Sequence, residues 1–225
     1  MFKLIRGTVF SIIVFASLLL LPAGTVHWWR AWVLIGLQTA AGVGSVVDLY
    51  YHDRALLEER AKPPLQKGQP LTDKIALLLF EAGFVVLMVF TALDVFRLHL
   101  MSKPGIVVSS VGLALFLVGW RVMYGAVREN AFAALVVRHQ EERRQTVVDT
   151  GAYSVVRHPM YAGAMLFAVG VPLWLESYAG TLMAAAPIAA ISLRAVLEER
   201  FLKRELPGYD AYMRKVRHRF IPFVW

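Results

Sequence analysis

Two short polar clusters interrupt an otherwise apolar chain. The first runs from Tyr153 to Gly163 and crowds Arg157, His158, Pro159 and Tyr161 at the mouth of an apolar run. The second is Arg194, Glu198 and Glu199, near the end of the next apolar run. Pro159 suits the first turn of a helix, where its missing N–H costs nothing. The start of that helix carries partial positive charge and free N–H groups, which suit a carboxylate. Glu198 and Glu199 can accept hydrogen bonds from ribose hydroxyls or an amino group, and Arg194 offers a fixed fork to an anionic group. Arg194 and Glu198 stand four apart and share one helix face. A histidine, tyrosines, an arginine and carboxylates in one pocket can hold a zwitterionic nucleoside beside a second ligand. Each residue also has a plain reading. An Arg–Glu pair at this spacing is commonly a surface pair worth under about 1 kcal/mol. His158 can simply cap a helix, and Tyr209 and Tyr212 can anchor at an interface.

The elements that must position these residues are membrane helices. Hydrophobic residues make up 58% of the 225, against roughly 45–50% in an ordinary soluble chain, and mean hydropathy is +0.56. Trp28–Tyr50, Ile75–Phe96 and Ile106–Tyr124 approach or exceed the roughly 20 residues that cross a hydrocarbon core. Gly7–Leu21, Tyr161–Leu175 and Tyr178–Leu193 are shorter and can cross with tilt or local thinning. The expected fold is therefore all-α, a multi-pass transmembrane bundle of about six spans. Asp48, Glu81 and Asp94 fall within or near spans, where charge is costly, and point to an interior cavity.

Charge placement orients the bundle. The net +8 is concentrated before the first span (Lys3, Arg6), between the second and third (Arg54, Arg60, Lys62, Lys67, Lys74), between the fourth and fifth (Arg128, Arg138, Arg143, Arg144, Arg157) and after the sixth. The alternate connections hold only Arg30, Arg97 and Lys103. This asymmetry places both termini, and the two polar clusters, on the cytoplasmic side. It also accounts for the basic charge without nucleic acid, since basic segments are drawn to an anionic leaflet. Lys3, Arg6 and the apolar run before Pro22-Ala23-Gly24 imitate a signal peptide, but no Ala-x-Ala site follows and a retained helix is expected. There is no cysteine, which excludes disulfides, thiolate metal sites and a cysteine nucleophile. His52, His139, His158 and His218 show no metal-ligand spacing.

The chain divides at about residue 127. Residues 1–127 are spans with one polar loop, Tyr51–Lys74, broken by Pro63-Pro64 and Gly68-Gln69-Pro70. Residues 128–225 hold a long polar stretch, Arg128–Thr150, then a helical hairpin turning at Glu176-Ser177. Its second helix runs on as Arg194–Glu205 until Leu206-Pro207-Gly208 stops it. Tyr209–Lys215 reads as a short amphipathic helix, and the aromatic end, Phe220 to Trp225, as an interfacial segment.

This second half resembles the core of the isoprenylcysteine carboxyl methyltransferases and their bacterial relatives. The resemblance rests on Gln145-Thr146-Val147-Val148, Gly151-Ala152-Tyr153 and Arg157-His158-Pro159-Met160-Tyr161-Ala162-Gly163. It continues in Arg194, Glu198-Glu199-Arg200-Phe201-Leu202, Tyr209-Asp210-Ala211-Tyr212 and Phe220-Ile221-Pro222. It implies an S-adenosylmethionine-dependent methyltransferase in a bacterial cytoplasmic membrane, acting on a lipophilic or lipid acceptor. Gln145, Thr146, Val147 and Val148 then line the cofactor site, with Tyr153 beside them. His158, Pro159, Met160, Tyr161 and Glu198 hold S-adenosylmethionine, and Arg194 faces an acceptor carboxylate as the catalytic residue. Residues 1–127 carry no matching motif and are expected to select the acceptor.

Transfer from a sulfonium needs chiefly alignment and exclusion of water, and an ionised carboxylate acceptor needs no base. An amine or thiol acceptor is the first alternative, and an amine would need a base nearby. Membrane sterol reductases have a similar second half and bind a nicotinamide, but the asparagine usual before their tyrosine is Met160 here. A non-enzymatic membrane protein, in which the clusters are only helix ends, is the third.

Overall fold

Lipid offers the backbone no hydrogen-bond partners, so an apolar run that enters it must close its own bonds as a helix. In the computed structural model, which describes residues 2–66, 68–134, 136 and 143–224 with side chains from Arg6 onward, the described residues are helical throughout their apolar runs and contain no strand. Lys67, Arg138, His139 and Trp225 lie outside the described residues.

The helices are α1 (Phe2–Ala23), α2 (Trp29–His52), α3 (Arg54–Arg60), α4 (Leu71–Leu93), α5 (Ile106–Glu129), α6 (Pro159–Trp174), α7 (Tyr178–Met183), α8 (Ala185–Glu205) and α9 (Tyr209–Lys215). Five stretches are long and apolar enough to cross a membrane: Arg6–Ala23, Trp29–His52, Leu71–Leu98, Ile106–Glu129 and Tyr178–Glu205. The chain is a multi-pass membrane protein. The six runs expected from hydropathy are all helical, and of the three short ones only α6 remains short, at 16 residues.

Local chemistry sets the helix ends. Gly24 takes a left-handed φ of 69° and its N–H returns to Leu20 and Leu21, closing α1. The Asp53 carboxylate accepts from the Leu56 N–H at 2.9 Å and starts α3. This helix falls inside the Tyr51–Lys74 segment expected to be a loop; Asp53 was the signal for it. Pro159 occupies the first turn of α6. Glu176, with φ of 68°, turns the chain into α7, where Ser177 Oγ accepts from the Gly180 N–H at 2.7 Å. Gly208, with φ of 87°, separates α8 from α9.

The core gathers fully buried Leu19, Leu34, Leu87, Met88, Phe116 and Val171 from α1, α2, α4, α5 and α6. α5 and α6 approach backbone to backbone. A Cβ placed on Gly119 would stand 2.6 Å from the Gly163 carbonyl oxygen, and one on Gly170 2.6 Å from that of Gly112. At the end of the bundle where α4 stops, Arg30 lies between the rings of Trp29 and Trp174, 4.8 and 4.5 Å from their centroids, and pairs with Glu176 at 2.9 Å. There Asp94 accepts from Ser177 Oγ at 2.6 Å, which ties the foot of α4 to the α6–α7 turn. The starts of α4 and α6, the ends of α5 and α8, and α3 and α9 meet at the opposite end.

Candidate active site

At that opposite end a cavity of about 830 Å³, its mouth included, is lined by Gln145, Thr146, Val147, Val148, Tyr153, His158, Met160, Tyr161, Arg194 and Glu198. Every residue expected to hold the cofactor or face the acceptor thus reaches this one cavity except Pro159, which is buried in the first turn of α6 and shapes the helix start beneath it. Glu199 of the second polar cluster does not line the cavity.

The two adjacent glutamates on α8 do different things. Glu199 is buried, and its Oε1 accepts from Arg157 Nε at 2.7 Å while its Oε2 accepts from Arg219 Nε at 2.9 Å. His158 Nε2 lies 3.2 Å from the same Oε1. Arg157 also donates to the carbonyls of Val216 and Arg217 at 2.8 and 2.7 Å, so Glu199 clamps the tail against α6 and α8. Glu198 is half-buried and faces the cavity. Its Oε2 accepts from the Tyr161 hydroxyl at 2.5 Å, and its other oxygen accepts from no described side chain or backbone donor. His158 occupies the cap position of α6 without making a side-chain cap bond. Its ring instead stacks on Tyr161, with centroids 5.3 Å apart and planes 7° from parallel. The first turn of α6 thus has no side-chain cap at the end where His158, Met160 and Tyr161 line the cavity.

Arg194 is buried and donates from Nε to Asp73 Oδ1 at 2.8 Å, while Asp73 Oδ2 also accepts from Gln69 at 2.6 Å. The sequence reading missed Asp73, because 121 positions separate it from Arg194 and no local spacing joins them. Tyr209 and Tyr212, read in sequence as interface anchors, are buried in the cavity wall, and Tyr212 donates to the Tyr153 carbonyl at 2.8 Å. Burial pushes the Tyr153 phenol up to about 12, with the Asn130 side chain opposing. Burial likewise raises Tyr209 and Tyr212, so all three remain protonated at neutral pH.

A second opening, a groove of about 980 Å³ with its mouth included, runs along α2, α4, α5 and α6 at membrane depth. Phe84, Trp120, Val127 and Phe167 give it an apolar lining, and Gln38, Arg60, Glu81 and Tyr124 add polar groups. Met160 lines both groove and cavity. Of the three acidic residues in or near spans, Asp94 holds Ser177, Asp48 accepts from Tyr124 and lies 3.4 Å from Arg128, and Glu81 faces the groove.

The chain thus combines a helical membrane bundle with a polar cavity at one end and a lateral groove beside it. Residues 107–207 match the family model described as phospholipid methyltransferase. The match takes in nearly all of α5 and the resembling segments from Gln145 to Leu202, and ends before Tyr209–Tyr212 and Phe220–Pro222. The chain is also 28% identical over 121 residues to a rice protein named probable protein-S-isoprenylcysteine O-methyltransferase, covering 52% of this chain and 62% of that protein. It is 27% identical over 110 residues to protein-S-isoprenylcysteine O-methyltransferase B of Arabidopsis thaliana, covering 48% of this chain and 50% of that protein. The chain matches between half and two thirds of the length of these relatives. Over its second half the chain is thus similar to the phospholipid methyltransferase family model and to these isoprenylcysteine methyltransferases.

Proposed function

We propose that the chain is an integral membrane methyltransferase, which uses S-adenosylmethionine to methylate a lipophilic acceptor at the cytoplasmic face of a bilayer. The observation that carries this reading is that the cavity gathers Tyr153, His158, Tyr161 and Glu198 and meets, at Met160, a groove lined for an apolar ligand.

The donors and acceptors present fit the cofactor. Glu198 has one carboxylate oxygen held by Tyr161 and the other turned to the cavity, where it can accept from a ribose hydroxyl or an amino group. The uncapped first turn of α6 suits the cofactor's carboxylate. Backbone from Gln145 to Val148 and the rings of Tyr153, Tyr209 and Tyr212 enclose the nucleoside and exclude water. Once bound, the cofactor supplies an electrophilic methyl group on a sulfonium. The protein's part is alignment: Glu199 fixes His158, His158 stacks on Tyr161, and Tyr161 orients Glu198. Arg194, held by Asp73, stands on the acceptor side of the cavity. The helices of residues 1–127 that line the groove, α2, α4 and most of α5, select the acceptor. The basic connections at the cavity end support a cytoplasmic position for it.

Binding of S-adenosylmethionine to the purified protein in detergent tests the reading. Micromolar binding that NADPH does not compete supports it. Absence of binding, or displacement by NADPH, overturns it in favour of a non-enzymatic protein or a reductase.

A further inference from the structure

α4 and α8 are held together at two levels. Deep in the bundle they pack so closely that a Cβ on Gly83 would stand 3.3 Å from Pro187 Cα. Near the cavity end Arg194 donates to Asp73 at 2.8 Å. Beyond that pair a pocket of about 780 Å³, its mouth included, opens between Thr72 at the start of α4 and Leu197, Arg200, Phe201, Lys203 and Arg204 of α8. It shares no lining residue with the polar cavity or with the groove.

The pocket is cationic at one level and apolar at the next. Arg200 and Arg204 are exposed, and neither pairs with another described residue. Lys203 pairs with Asp210 at 3.3 Å, with both side chains more than half exposed. Arg200 and Arg204 stand roughly 9 and 15 Å along α8 from Arg194, away from the bilayer centre. Toward the bilayer the same helix faces turn apolar. Ile75 and Leu79 follow Thr72 by three and seven positions, and Leu193 precedes Leu197 by four. These three are 49%, 51% and 49% exposed, within stretches long enough to cross a membrane. Exposed hydrocarbon thus lies directly below a set of arginines.

A small soluble anion would use only the arginines, and a nucleic acid would leave the hydrocarbon uncovered. A phospholipid uses both, with its phosphate at Arg200 and Arg204 and an acyl chain along Ile75, Leu79 and Leu193. No carboxylate lines the pocket, so a headgroup ammonium finds no counter-ion there and a net negative headgroup is preferred. We propose that this pocket binds an anionic phospholipid, whose phosphate bridges the start of α4 to the end of α8 and braces the Asp73–Arg194 pair beneath. The lipid is a structural ligand and not a methyl acceptor, because it is walled off from the cavity. Its binding stands whether or not the chain transfers methyl groups.

The test titrates the full chain in dodecyl maltoside with dioleoylphosphatidylglycerol, dioleoylphosphatidylcholine or inorganic phosphate, and reads lipid retained on the protein together with its melting temperature. Wild type should retain phosphatidylglycerol preferentially and melt higher with it, and respond to neither of the others. Arg200→Gln combined with Arg204→Gln should weaken phosphatidylglycerol binding roughly thirty-fold, while melting as wild type does in phosphatidylcholine. Arg54→Gln combined with Arg214→Gln removes two exposed charges elsewhere and should bind as wild type does. Should the first pair fail to fold, Arg204→Gln alone should weaken binding roughly five-fold. Equal retention of the two lipids by wild type, an equal shift with phosphate, or equal loss in both paired variants would overturn the proposal. The last result would mean a general attraction of basic surface to anionic lipid.

Discussion

Glu198 and Glu199 are neighbours of identical chemistry, and the structure assigns them separable jobs, which makes a paired substitution informative. In Glu199→Ala the carboxylate that serves Arg157 Nε at 2.7 Å and Arg219 Nε at 2.9 Å is gone. The Arg157 side chain is only 6% exposed, so its guanidinium keeps its charge without its counter-ion. Breaking a buried pair from one side costs about 3–5 kcal/mol, and the carbonyls of Val216 and Arg217 that Arg157 also holds loosen with it. In Glu198→Ala the protein loses only a half-buried acceptor of the Tyr161 hydroxyl. The ligand would lose a charge-assisted hydrogen bond of about 1.5–3 kcal/mol, or roughly 10- to 150-fold in Kd. Thermal unfolding in detergent and S-adenosylmethionine titration, run on both variants, read the two effects apart. Glu199→Ala should melt well below wild type, and Glu198→Ala close to wild type but with the weakened Kd. A Glu198→Ala variant that melts as low as Glu199→Ala while binding normally would refute the division of labour.

Tyr161→Phe removes the donor that orients Glu198. It should weaken cofactor binding by about 1 kcal/mol, roughly fivefold by titration, with little change in melting. Arg194→Lys keeps the charge beside Asp73 but loses the Nε donor, so kcat should fall while cofactor affinity holds; equal loss of both would move Arg194 out of its acceptor-side role. Gly163→Ala drives a Cβ to 2.6 Å from the Gly119 carbonyl and should destabilise by about 1–3 kcal/mol, seen as a lower melting temperature. Because burial raises the Tyr153 phenol from 10 to about 12, the folded state holds that proton more tightly than the unfolded one. The stability it contributes is complete below pH 10 and is lost between 10 and 12 at up to about 1.4 kcal/mol per pH unit. Tyr153→Phe should flatten that alkaline slope in a pH series of melting curves.

Features written in short stretches of sequence were legible before any coordinates. Pro159 announced the start of α6, Leu206-Pro207-Gly208 the end of α8, and Tyr209–Lys215 the helix that follows. Gln145 to Val148, Tyr153, His158 and Glu198 were singled out together and line one cavity. What stayed hidden depends on distant elements meeting. Asp73 reaches Arg194 only because the start of α4 packs beside α8. α3 was too short to leave an apolar period, and its one local signal was the cap Asp53. Tyr209 and Tyr212 look like interfacial aromatics because sequence does not reveal that α9 folds back over the cavity.

The glycine contacts between α5 and α6 also constrain how a ligand can arrive. Helices joined carbonyl to Cα at Gly112–Gly170 and Gly119–Gly163 have no side-chain cushion to compress and so travel as one rigid plank. A bulky hydrocarbon chain cannot wedge between them. Entry from the lipid is left to the flank of the groove that α2 and α4 line. Cross-linking α4 to α5 would then slow acceptor entry, whereas a link between α5 and α6 would not.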